Sequence, residues 1–229
     1  MFPRVYIFLN GEFTPSPDLP KTPGPEDLVV CTDGGVTHAI DLGWKTDVLL
    51  GDFDSIPQDL LERFREDDSI TLLTFPREKD KTDFELALDY ALEYLEPQGT
   101  LEILGAFGRR WDMTFSNFFL PAAFTLPSFG LKKPKIIFRE GHTLIYILGG
   151  PDTLTIPLTR SDSKVSLLPL TSVVQGVTLA GDFKYPLKDG TLRFGLTLGL
   201  SNELYERGGS ISFQRGSLSI FIEPLKATY

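Results

Sequence analysis

The chain has 229 residues, 41% of them hydrophobic and 23% charged, which is the usage of a folded globular protein and excludes general disorder or a fibrous repeat. Its formal net charge is -9 and its basic residues are scattered, so nucleic-acid backbones and anionic lipid surfaces are repelled rather than bound. No window approaches the roughly 18 consecutive apolar residues of a membrane span, the apolar run at 5–9 is too short for a secretory leader, and a cytoplasmic protein is expected.

The runs VYIFL (5–9), LVVC (28–31) and VLL (48–50) each give way to polar or glycine-containing segments, the pattern of buried strands. The single cysteine, Cys31, lies in the second run and reads as a small buried side chain, which excludes a disulfide framework. The proline-rich stretch at 15–27 reads as a loop. Between the second and third runs, 36–43 suits a short helix returning the chain to the same edge of a parallel sheet. The mixed-charge run 63–68 is a solvated helix end. Residues 69–75 read as a strand, and 83–95 as an amphipathic helix carrying Phe84, Leu86, Leu88, Ala91, Leu92 and Leu95 largely on one face. A strand at 101–104, a helix-like stretch at 114–124 and a strand at 135–138 complete an alternating pattern. The fold class expected for 1–149 is a Rossmann-like α/β domain with a mostly parallel sheet.

After Gly149-Gly150-Pro151 the texture changes. Short runs such as KVSLLPL, GVTLAG, TLRFGLTLGLS, SISFQ and LSIFIEP are separated by turn residues, which predicts a small β-sandwich or jelly-roll-like domain over 150–229.

Ligands of open α/β sheets bind beyond the carboxyl ends of the strands. Those ends are acidic here: Asp33-Gly34-Gly35 after LVVCT, Asp52-Phe53-Asp54-Ser55 after VLLG, PREKDKTD with Asp80, Thr82 and Asp83 after 69–75, and Arg109-Arg110-Trp111-Asp112 after LEILGAFG. A lone Asp in any of these places would be a turn or cap residue. Several carboxylates gathered together repel one another, and a hard divalent cation, magnesium above all, relieves that repulsion while binding substrate phosphates. Gly51 eases the turn that lets Asp52 and Asp54 converge. Gly34 and Gly35 allow backbone to approach phosphate oxygens, Arg110 supplies a matching fork of donors, and Thr82 and Asp83 stand at a helix start suited to anions. Asp59, Asp67 and Asp68 read as solvated, Trp111 as a core-packing aromatic, and neither His38 nor His142 has partners at metal or catalytic spacing.

These segments, D33-G-G, G51-D-F-D-S-I, K79-D-K-T-D and G108-R-R-W-D-M-T-F-S-N, resemble in order the pattern of the thiamin pyrophosphokinase family, as do KYPL at 184–187 and SNEL at 201–204. The resemblance implies transfer of the pyrophosphoryl group of ATP to the hydroxyl of thiamin, leaving AMP, by a magnesium-dependent homodimer with its site between subunits. By motif, Asp52, Asp54 and Asp83 would hold magnesium. Asp33, Asp80, Asp112 and Asn117 would lie near the nucleotide, with Asp54 or Asp112 accepting the hydroxyl proton; Thr82 and Arg110 would contact phosphate, and Ser201 and Asn202 would shape the thiamin pocket. Arg109 stands where the family commonly has a second Gly, and Met113 where it has His or Gln. Met113 neither titrates nor donates a strong hydrogen bond. Two alternatives therefore stay open: another hydroxymethyl acceptor, such as a pterin, or a non-catalytic nucleotide- or thiamin-binding homologue.

Overall fold

A computed structural model describes residues 1–126 and 134–225. Two compact units are formed, Met1–Leu120 with Phe138–Gly141 and Pro121–Ile137 with His142–Tyr229. In the first unit, strands β1 (Phe2–Phe8), β2 (Asp27–Thr32), β3 (Val48–Gly51), β4 (Thr71–Thr74) and β5 (Leu95–Leu104) alternate with helices α1 (Val36–Asp41), α2 (Gln58–Glu66) and α3 (Asp83–Tyr94). The helix α4 (Trp111–Phe124) and the strand β6 (Lys135–Glu140) follow.

The strands β1 and β2 are near-continuous apolar runs because a parallel sheet is covered on both faces. β1 pairs in parallel with β2 on one side and β5 on the other, and β3 and β4 extend the β2 side, giving the order β5-β1-β2-β3-β4. Tyr6 and Phe8 are fully buried, and Trp44 meets their rings edge-on at 4.8 and 5.6 Å. Burying one such side chain contributes about 1.5–3 kcal/mol. Cys31 is part of the same cluster; burial pushes its thiol up to about 12, which makes it inert. Helix α3 buries Phe84, Ala87, Leu88 and Ala91 and packs on β1, β2, β3 and β5.

Element types agree with the sequence pattern, while several limits move. Thr82, not Asp83, caps α3, its Oγ1 accepting from the Glu85 N–H at 3.2 Å. The strand expected at 101–104 begins at Leu95, because a register shift lets Leu95 pair with Phe2. Trp111 is a correction: expected in the core, it opens α4 at 69% exposure and lies 6.0 Å from the ring of Phe115. Trp111, Phe115 and Phe119 form an exposed stripe at helical spacing along α4.

The second unit is antiparallel. It contains β7 (Thr143–Gly149), β8 (Asp152–Ile156), β9 (Ser163–Pro169), β10 (Val173–Phe183), β11 (Gly190–Arg193), β12 (Asn202–Phe213) and β13 (Ser217–Pro224). β13 lies between β7 and β9, and β12 pairs with β8, β9 and β10. β7 precedes Gly150, yet its pairing with β13 brings it into this unit. Only the start of TLRFGLTLGLS is a strand. At Gly195 and Gly199, with φ of 79° and 102°, the chain turns, and Phe194, Leu196, Leu198 and Leu200 are exposed. No helix among the described residues is long and apolar enough to cross a membrane.

Glu102 on β5 is buried in the first unit, held by the fork of Arg139 from β6, with Arg139 Nη2 at 3.2 Å from Oε1 and Nε on Oε2. Arg4 stands at 3.6 Å. Removing one partner strands a buried charge, so Arg139→Ala should cost about 3 kcal/mol, read as a lower urea midpoint at unchanged slope.

Candidate functional site

The parallel strands of the first unit end on one cavity of about 750 Å³. Residues 9–12 follow β1, Thr32 ends β2 and Asp33 follows it, Asp52 follows β3, Arg77, Lys79 and 81–84 follow β4, and 106–110 follow β5; Met113, Thr114 and Asn117 come from α4. β1 is where the strand order changes direction, the place at which open α/β sheets leave a crevice beyond their carboxyl ends.

Asp33 organises the acidic side. Its Oδ1 accepts the Phe53 N–H at 2.9 Å, tying the end of β2 to the loop after β3. Phe53 is buried with φ 63°, a left-handed conformation unusual for a bulky residue, so its ring in the core and its N–H on Asp33 hold the turn in place. A Cβ on Gly51 would lie 2.0 Å from Asp33 Oδ1, so glycine is required there. Gly34 and Gly35 also have a packing reason in the fold. Added Cβ atoms would meet Asn10 Oδ1 and the Phe8 carbonyl, each at 2.5 Å; these glycines let the turn pack on the end of β1.

One ligand atom from each of Asp33, Asp52 and Asp54 lies within 4.8 Å of the others. Burial pushes the Asp33 carboxyl up to about 6 against the Phe53 hydrogen bond, with the charges of Asp83 and Asp52 adding to the rise. This donor set is all carboxylate oxygen, which fits a hard cation such as magnesium and not a thiophilic metal. Asp83 lies outside the triad on the cavity wall, its Oδ1 3.0 Å from Lys79 Nζ. Arg77 stands 3.5 Å from Asp54.

Two family models match the chain: "Thiamin pyrophosphokinase, catalytic domain" over residues 22–127 and "Thiamin pyrophosphokinase, vitamin B1 binding domain" over 153–218. The thiamine pyrophosphokinase of Bacillus subtilis (strain 168) is 32% identical over 217 residues, covering 93% of this chain and 95% of the relative. The chain belongs to the thiamin pyrophosphokinase family. The crystal structure of the Bacillus subtilis thiamine pyrophosphokinase aligns with a TM-score of 0.78 at 28% identity, over 96% of this chain and 99% of that one. A thiamin pyrophosphokinase family protein from Enterococcus faecalis aligns at 0.79 with 27% identity, over 97% and 100%. The thiamin pyrophosphokinase of Candida albicans, at 16% identity and a TM-score of 0.71 over 96% and 90%, shares the fold.

Of the positions that resemble thiamin pyrophosphokinase motifs, Asp33, Asp52, Thr82, Asp83, Arg110 and Asn117 line the cavity. Gly34, Gly35, Asp54, Asp80 and Asp112 do not. Asp80 is exposed, and Asp112 is gripped by Arg110 through Nε at 3.3 Å and Nη2 at 2.6 Å. Those hydrogen bonds hold the Asp112 carboxyl below its ordinary value, making it a weak base. In the second unit, Ser201 is exposed, while Asn202 is buried with its Oδ1 accepting from the N–H groups of Tyr185 and Glu203 and its Nδ2 donating to the Tyr185 carbonyl. Asn202 therefore pins the KYPL segment. His38 Nε2 donates to the Gly11 carbonyl at 2.9 Å, a structural role. Lys79 was not singled out by its sequence, although it stands four positions before Asp83; its side chain is only 14% exposed and faces the cavity.

The raised Asp33 carboxyl has a signature in stability. Between its ordinary 3.8 and its folded value of about 6 the native state holds the extra proton, so stability falls as pH rises through this range. In metal-free buffer from pH 4 to 7, the Tm of the wild type should fall relative to that of Asp33→Asn, and parallel curves would remove the assignment.

Proposed function

We propose that this chain transfers the pyrophosphoryl group of ATP to the hydroxyl of thiamin, giving thiamin diphosphate and AMP. The observation that carries the reading is the carboxylate triad Asp33, Asp52 and Asp54 beside a cavity whose wall also bears Arg77, Lys79 and Lys81. Family membership supplies the acceptor.

Asp52 and Asp54, with Asp33, would hold magnesium, and Asp83 would join them from the start of α3. Bound there, the ion neutralises charge on the transferred phosphates. The chain's own groups do the positioning. Lys79, drawn from Asp83, and Arg77, drawn from Asp54, reach phosphate oxygens, as does Lys81. Thr82 Oγ1 already accepts from Glu85, which leaves its hydroxyl proton to donate. The free N–H groups at the start of α3 favour an anion. In the reaction the thiamin hydroxyl oxygen bonds to the β-phosphorus, the bond from that phosphorus to the α,β-bridging oxygen breaks, and AMP leaves with that oxygen. The hydroxyl proton passes to a carboxylate or to solvent, and Asp112 is poorly suited to take it.

The same reading makes the first unit a Rossmann-like catalytic domain, and the second a sandwich-like domain contributing Ser201 and Asn202 to the thiamin pocket. It also makes the enzyme a cytoplasmic homodimer, with the site between subunits. Exposed apolar side chains support the dimer: Trp111, Phe115 and Phe119 in the first unit, and Phe194, Leu196, Leu198 and Leu200 in the second.

With ATP, magnesium and thiamin, AMP and thiamin diphosphate should appear in equal amounts. Thiamin diphosphate without AMP, or neither product, overturns the reading. Asp54→Asn should lower kcat by about 100-fold or more with an unchanged melting curve, and near-normal turnover would take Asp54 out of the metal site. Light scattering at micromolar concentration should give twice the chain mass; a single-chain mass would remove the shared site.

A further inference from the structure

Asn117 lines the cavity from α4 at 8% exposure. Its Nδ2 donates to the Ala106 carbonyl at 2.7 Å, and that bond decides the orientation of the amide, because only the nitrogen can serve a carbonyl. Oδ1 is consequently the other arm. It is buried and has no hydrogen-bond partner among the described residues. One turn earlier on the same helix, Met113 lines the same cavity and offers no donor. The hydroxyl of Thr114 is used otherwise, donating to the Gly108 carbonyl and accepting from the Gly108 N–H, both at 3.1 Å. Together Thr114 and Asn117 tie the loop after β5 to α4, so the amide sits on a rigid mount.

A buried acceptor with no partner is costly, on the order of 1–3 kcal/mol, and in a ligand cavity its natural complement is a donor carried by the ligand. Phosphate offers only acceptors at neutral pH and is repelled by Oδ1. Resting on the function proposed above, we infer that Asn117 is a specificity residue whose Oδ1 accepts the exocyclic N–H of an aminopyrimidine ring edge. Both substrates carry that edge, in the six-membered ring of adenine and in the pyrimidine of thiamin. Exchanging the amine for a carbonyl turns a donor toward an acceptor, and polar sites of this kind reject such analogues strongly.

The test has one nucleotide arm and one acceptor arm, both read by calorimetric binding as well as by turnover. The wild type is titrated with ATP and with inosine triphosphate, then with thiamin and with its 4′-oxo analogue, in magnesium buffer. In one arm the amine should be preferred by about 10–100-fold in Kd, and Asn117→Ala should bring that preference to within about threefold while leaving the other arm as it was. The arm that responds identifies the ring. Equal affinity within both pairs in the wild type overturns the inference, as does a preference unchanged in the variant. If Asn117→Ala does not fold, Asn117→Ser, which keeps a polar group near the Ala106 carbonyl, takes its place. Should that also fail to fold, the 10–100-fold preference in the wild type decides alone. Discrimination in binding without AMP formation would overturn the proposed reaction and leave the role of Asn117 standing.

Discussion

The hydrogen bond from the Phe53 N–H to Asp33 is the constraint on which the acidic site depends. It joins the ends of two neighbouring parallel strands just where their ladder stops. Phe53 anchors the turn from below, with its ring in the core, and Asp33 anchors it from the side. Asp52 and Asp54 flank the anchored residue, so both are carried to Asp33 although their spacing would separate them on a regular strand. The left-handed backbone at Phe53 and the glycine at Gly51 are the local cost of this convergence, and the apolar core offsets it.

Much of this was legible in the sequence, for a physical reason. Parallel strands must be apolar throughout, so LVVC and VLLG stand out. Whatever follows them must lie at one edge of the sheet, which makes DGG and GDFDS candidates before any contact is known. The resemblance to family motifs then marked the same acids as candidates together. What the pattern did not carry was the partner of each group. Gly34 and Gly35 look the same whether a phosphate or the end of β1 fills the space beside them. The pairing of Arg110 with Asp112 depends on rotamers that spacing does not determine.

The misreadings of the aromatic residues share one cause. Trp111 and the run from Phe194 to Leu200 are apolar enough to be assigned to a core or a strand, and apolarity alone does not distinguish a core from an uncovered surface. In the second unit glycines with positive φ decide the matter by turning the chain out of the sheet. Strand β5 erred in the opposite direction. Its first half, LEPQGT, is too polar to announce a strand, yet backbone pairing with β1 reaches it.

The ion pairs of the cavity have a consequence for how a polyphosphate enters it. Lys79 rests on Asp83 and Arg77 on Asp54, so each of these two cations arrives with an internal counter-ion. On the function proposed above, loading would be a change of partners: Lys79 and Arg77 would move onto the incoming anion, freeing the Asp83 and Asp54 carboxylates for a metal ion. Anion and metal would thus make room for each other, and each alone would meet a cavity that is already half neutralised.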